Sequence, residues 1–182
     1  MKNICISIIV LTLISACKKE SNPFLISKSS IGLLTDSTQV KDIEAIYAND
    51  SLVKHLGRDE YTGSKNDIEV YDKFGNILLI LSPKQALDST STISTIKVVD
   101  PRFSTKQGLN PESTFGDIKN NYEISNIQNT LRNVVVFVDE INAFFTIDKK
   151  ELPSELRLDM NKNIEALNIP DTAKIKYYMI GW

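Results

Sequence analysis

The sequence predicts an α+β fold, a mostly antiparallel sheet or two related sheets with helices packed on one face. Three observations carry that expectation. Two segments alternate or run apolar on either side of a tight turn, as hairpins do; two others show helical spacing behind Ser-Thr pairs; and both kinds recur in the same order along the chain.

The chain opens with Lys2 and then an apolar run, Ile4 to Leu13, broken only by Ser7 and Thr12. A bilayer crossing needs about 20 apolar residues, so this run is too short to span but long enough for the core of an export signal. Leu13-Ile14-Ser15-Ala16-Cys17 follows directly, a branched apolar residue, two small ones and a cysteine. That stretch resembles the lipobox of bacterial lipoproteins. The resemblance implies cleavage in front of Cys17, diacylglycerol on its thiol and an acylated amino group. Residues 1–16 are therefore expected to be a signal peptide, residues 17–23 a lipidated cysteine and polar tether, and residues 24–182 the exported domain. One acyl chain binds a bilayer only marginally, whereas two or three hold essentially permanently. Position 18 is Lys rather than Asp, which in enteric lipoproteins leaves the protein free for outer-membrane sorting.

Composition narrows what the exported part can do. Of 182 residues 42% are hydrophobic, enough for a real core, and 21 basic side chains stand against 23 acidic ones. Cleavage removes only Lys2 from that balance, so no basic footprint for nucleic acid remains. The chain has 2 cysteines. Cys5 leaves with the signal and Cys17 carries lipid, so the domain has no thiol for a disulfide, a nucleophile or a zinc site.

The internal repeat organises the rest. Gly32-Leu33, Ser37-Thr38, Asp42-Ile43 and Tyr47 recur as Gly108-Leu109, Ser113-Thr114, Asp117-Ile118 and Tyr122. A second echo sets Asp72 to Ile80 beside Asp139 to Ile147, and a third sets Ile96 to Val99 beside Ile175 to Tyr178. The expected division is one repeat at about 24–92, another at about 93–170, and a closing strand at 173–182.

Each element has a physical reason. Gly32 and Gly108 read as turn glycines. Val40, Ile43, Ile46 and Tyr47 fall at helical spacing behind Ser37-Thr38, and Phe115, Ile118 and Tyr122 behind Ser113-Thr114; the hydroxyls are expected to cap these helices, with Asp117 completing a capping box. Asp42 and Asp117 then serve helix N-termini, where negative charge is favoured, rather than catalysis. Ile68 to Tyr71 and Ile77 to Leu81 form a hairpin around Phe74-Gly75-Asn76, Ile93 to Val99 a further strand, and Val134 to Val138 with Ala143 to Ile147 a second hairpin. Pro153-Ser154 is expected to start a third helix with Leu156, Met160, Ile164 and Leu167 on one face. Lys174 to Trp182 reads as a final strand. Its Tyr178 and Trp182 point the same way, either into the core or, as the sharper alternative, out as an aromatic contact for a partner.

With this order the chain resembles the uncharacterised lipoproteins of Bacteroidota, through the lipobox, the Gly-Leu, Ser-Thr, Asp-Ile and Tyr element, and the Asp100-Pro101-Arg102-Phe103 turn. That resemblance implies a small exported domain of unassigned activity. Asp36-Ser37-Thr38, Asp50-Ser51-Leu52, Asp88-Ser89-Thr90 and Asp171-Thr172-Ala173 also resemble the triplets at which such bacteria O-glycosylate exported proteins.

Motifs of catalysis are missing from the sequence. His55, the 1 histidine, sits in a charged stretch that reads as loop, and neither a nucleophile elbow, a zincin motif nor a calcium loop occurs. No residue is singled out as catalytic, cofactor-binding or metal-ligating. The expectation is a lipid-anchored protein of the cell envelope, more a binding or structural module than an enzyme. Its partners would be the bilayer, through Cys17, and an envelope protein or glycan. A carboxylate-dependent hydrolase of envelope glycans is the alternative, because two facing acids in a cleft suffice for that chemistry.

Overall fold

The structure, a computed structural model, describes residues 22–55, 57–59, 63–158 and 162–182. Cys17 and the segment expected to be signal and anchor lie outside those residues. In chain order the elements are β1 (Leu25–Ser27), β2 (Ser30–Ile31) and β3 (Leu34–Thr35), then a 3₁₀ turn running into α1 (Ile43–Ile46). There follow β4 (Ser51–Lys54), β5 (Gly57–Asp59), β6 (Gly63–Lys65), β7 (Ile68–Tyr71), β8 (Ile77–Pro83) and β9 (Ile93–Val98). The second half adds β10 (Ser104–Thr105), α2 (Phe115–Asn121), β11 (Asn126–Asn129), β12 (Asn133–Val138), β13 (Ala143–Asp148), α3 (Ser154–Arg157) and β14 (Ile175–Gly181). Antiparallel strands dominate, and the helices are shorter than the helical spacings implied.

An 8-stranded sheet in the order β11-β12-β13-β14-β9-β8-β7-β4 forms the main layer. It consists of two four-strand meanders, β4-β7-β8-β9 and β11-β12-β13-β14, each stepping inward from an edge, so that their fourth strands pair at the centre. Val98 faces Tyr178 there, and Ile96 faces Ile180. One transverse row crosses all the strands on the inner face: Ile127, Val136, Phe145, Tyr178, Val98, Leu79, Val70 and Leu52. Because side chains alternate along a strand, this register puts the apolar set of each strand on one side. Ile26, Ile31 and Leu34, from the small sheet β10-β1-β2-β3, join the same buried cluster, with Ile43, Phe115 and Ile118 from the helices.

The two halves match closely in element order. In each, the residue that starts the helix bridges to the residue just before the fourth strand, Gln39 to Thr92 and Thr114 to Lys174. Turn positions agree as well, since Gly32 and Gly108 have φ of +56° and +85°, and Gly75 and Asn142 have +82° and +51°. Gly32 is further constrained, because a Cβ there would lie 2.3 Å from the Pro23 carbonyl oxygen. This grouping differs from the division expected at residues 92–93. β9 belongs with the first meander, and β14 is its counterpart in the second rather than a separate closing strand.

Local expectations are corrected at three places. Thr114 caps α2 with the full box, accepting from the Asp117 N–H while Asp117 accepts from the Thr114 N–H. Ser37 and Thr38 cap nothing: the first helix starts at Gln39, without a side-chain cap, and the Thr38 hydroxyl accepts from the Thr35 N–H. Ser113 makes the equivalent turn, accepting from the Asn110 N–H. The third helix stops at Arg157; Ile164 is buried outside any helix, Leu167 is exposed, and Met160 lies outside the described residues. Ile164 reaches the core from an irregular segment, so a 3.6-residue spacing there does not report a helix.

Thr114→Ala is expected to cost about 0.5–2 kcal/mol, as loss of a helix cap does, whereas Ser37→Ala should stay within about 0.5 kcal/mol; urea midpoints measure both. Deleting residues 175–182 should abolish cooperative unfolding by circular dichroism, because it removes a central strand and leaves two half-sheets with open edges.

Candidate functional site

The sheet face opposite the core is the first candidate. Its central transverse row reads Asn126, Phe137, Phe144, Met179, Lys97, Ile80, Glu69 and Val53. None of these side chains is buried. On the second meander the row is apolar, with Phe137 stacked on Phe144 at 5.8 Å between centroids; on the first it is mixed. Lys97 turns its ammonium to the Tyr177 ring, 4.3 Å away. Glu69 lies 3.2 Å from His55 Nε2, which accounts for the chain's one histidine as a strand-edge pairing.

The second candidate is a pocket of about 250 Å³ where the chain enters the domain. Pro23, Phe24, Leu33, Tyr47, Phe74, Leu78 and Phe103 supply its apolar wall, and Asn49, Asp50, Asp72, Lys73 and Arg102 its polar rim. Asp72 ends β7 and shapes the hairpin tip, its Oδ1 accepting from the Phe74 N–H at 2.9 Å and the Asn76 N–H at 3.0 Å. Arg102 Nη2 donates to Asp72 Oδ2 at 3.1 Å and to Asp100 Oδ2 at 2.7 Å, while its Nε donates to Asp100 Oδ1 at 2.9 Å. The guanidinium also lies over the Phe24 ring, 4.9 Å from its centroid, and Phe24 meets Phe103 edge-on. One arginine thereby ties the entering chain, the hairpin tip and the turn after β9 together.

These contacts set the charge states. Asp72 is held below the usual carboxylate range, first by the Asn76 N–H and then by its other donors, against the cost of burial. Asp100 is lowered chiefly by its bond to Arg102, whose own affinity for its proton is raised in return. Tyr47 moves the opposite way to the acids, burial driving its phenol upward. Among the described residues its hydroxyl has no hydrogen-bond partner, whereas the hydroxyl of Tyr122, its echo in the second half, donates to Gln107 Oε1 at 2.7 Å.

Of the two residues put forward from sequence as a possible partner contact, Tyr178 is closed off by the core and Trp182 partly so. Tyr178 is 1% exposed and packs on Phe145, 4.6 Å between centroids. Trp182 is half-buried against the same core. Both face inward because the register that buries Val98 and Phe145 turns Tyr178 with them. Sequence reading passed over the pocket, although Arg102 was in view in the Asp-Pro-Arg-Phe turn; no local pattern links it to Asp72. Among the described residues no group of three or more His, Cys, Asp or Glu side chains is placed to hold a metal ion.

Comparison with known proteins adds a fold and no chemistry. This chain is similar in structure to the uncharacterized protein YfeY from Escherichia coli. The TM-score is 0.55 at 16% identity, covering 86% of this chain and 99% of YfeY. At that identity the likeness concerns the fold alone. No protein-family model and no curated protein matches the chain.

Asp72 and Asp100 contribute stability in the ionised form, so their contribution is present above the usual carboxylate range and lost as pH falls through their lowered folded values. Arg102→Met should therefore lower the melting temperature most at about pH 7 and progressively less as pH falls through the lowered folded values of the two acids. A gap between the two proteins that does not change with pH would show the clasp to be packing rather than charge.

Proposed function

We propose that this chain is a lipid-anchored protein of the bacterial cell envelope, held at the outer membrane by acyl chains on Cys17, whose exported domain is a non-enzymatic binding or structural module. The observation that carries the proposal is the run from Lys2 through the apolar core to Leu13-Ile14-Ser15-Ala16-Cys17. Each part has a separate physical job in export and acylation. Among the described residues no helix is long and apolar enough to cross a membrane, and an acyl anchor requires none.

The open sheet face supports a binding role. Phe137, Phe144 and Met179 present large side chains at half exposure on a rigid scaffold, the kind of surface on which aromatic anchors work. Glycan hydrolysis by carboxylates gains no comparable support from the pocket. That reaction needs one acid that keeps its proton near neutrality beside one that does not. Asp72 and Asp100 are both pushed toward the ionised form, by backbone amides and by Arg102.

Cys17→Ser decides the anchoring. In cells fed a labelled fatty acid, the native chain should take up label and the variant none, with the variant accumulating unprocessed or soluble. Equal labelling of the two would refute the assignment.

A further inference from the structure

The two halves place the same hairpin turn in different states. In the second half Ile141, one residue before left-handed Asn142, is buried at 7% exposure. Its echo Phe74, one residue before left-handed Gly75, is 77% exposed. The corresponding loops also differ, with five residues between β7 and β8 against four between β12 and β13. Phe74 stands free at a tip that is otherwise well held: Asp72 binds the Phe74 and Asn76 amides, and Arg102 binds Asp72. The tip thus holds a phenyl ring out from the domain on a fixed turn.

What lies outside the domain at that point follows from the chain. Phe74 and the half-exposed Leu33 line the same pocket as Pro23 and Phe24, the first residues of the domain. From Cys17 to Asn22 is five residue steps, and at 3.3–3.6 Å per step the chain reaches at most about 18 Å. If Cys17 is acylated, this end of the domain cannot leave the neighbourhood of the bilayer. We infer that the end of the domain carrying Phe74 rests on the lipid surface, with the Phe74 ring in the headgroup interface.

Of the charged side chains on this rim, Lys73 suits that occupant while Asp50 does not. Lys73 adjoins the ring, its ammonium 5.0 Å from the centroid, so its alkyl stem can follow the ring inward while the charge stays among phosphates. The opposite end has no such constraint. Leu87, also largely exposed at 80%, follows β8 at the end away from the tip, about 20 Å off along a strand of that length. Exposure alone does not separate the two positions; only proximity to the anchor does. The inference rests on acylation of Cys17 and adds an orientation to it.

The test uses the full lipidated protein. With Cys17 blocked by lipid and Cys5 removed with the signal, Phe74→Cys and Leu87→Cys each provide one thiol for an environment-sensitive dye. After reconstitution into phosphatidylglycerol-phosphatidylcholine vesicles containing a doxyl-labelled lipid, dye at position 74 should shift to shorter wavelength and be quenched several-fold more than dye at position 87. Because Phe74 is exposed and the turn is held by main-chain amides, the variant should retain the native melting transition, which is measured on the same sample. Equal quenching at the two positions, or quenching at neither, overturns the orientation while leaving anchoring intact. A blue shift at position 74 that appears only with added envelope protein would assign the tip to a protein partner and overturn it too. A mature chain whose mass shows no acyl groups removes the anchor and the orientation together.

Discussion

The pairing of β9 with β14 is the contact on which the remaining architecture depends. Each meander ends on a strand whose outer edge would otherwise be unpaired, and the two edges satisfy one another across Val98 and Tyr178, Ile96 and Ile180. A row of apolar side chains becomes continuous from one edge of the sheet to the other only through that contact. The helices are tied to it as well, since Gln39 and Thr114 bridge to the residues that lead into β9 and β14. Such a centre joins segments far apart in sequence, so closing it carries a larger loop-entropy cost than the local hairpins do.

Similarity between the halves makes their differences informative. Backbone conformation is kept at the turn glycines, at Gly75 and Asn142, and at the bridges into the helices. Side-chain roles are not kept. Tyr122 has Gln107 as its partner while Tyr47 has none among the described residues, and Ile141 is tucked in while Phe74 stands out. One half thus closes over its helix and the other leaves a pocket beside the entering chain. The Arg102 clasp belongs to the open half, where it substitutes charge and hydrogen bonds for the packing that closes the other.

Covered and open faces divide the labour in the main sheet. Strict alternation in β12 and β13 sends Val134, Val136, Phe145 and Ile147 to the core and Val135, Phe137, Phe144 and Thr146 to the other side. That second set is more apolar than solvated faces of antiparallel sheets usually are. The rigidity of this face comes from the same ladders that close the core.

Much of this was legible in the sequence for a definite reason. Hairpins at Ile68 to Leu81 and Val134 to Ile147, the final strand and the α2 capping box are local: alternation, a turn residue and a Thr-x-x-Asp spacing each act within a few residues. The export signal proposed above rests on a linear pattern of the same short range. Where the reading failed, the deciding contacts were distant. Leu156, Ile164 and Leu167 have helical spacing, yet Ile164 is buried by packing beside β11 rather than by a helix face. Whether Tyr178 faced a partner or the core was settled by its register with Val98, far back in the chain. Arg102 meets Asp72 across the turn after β9, and Phe74 is outside while Ile141 is inside, neither of which leaves a mark on neighbouring residues. Local propensity and periodicity are short-range forces and were determined by the sequence alone; which strand met which, and so which side chains faced water, was decided only when the two meanders joined.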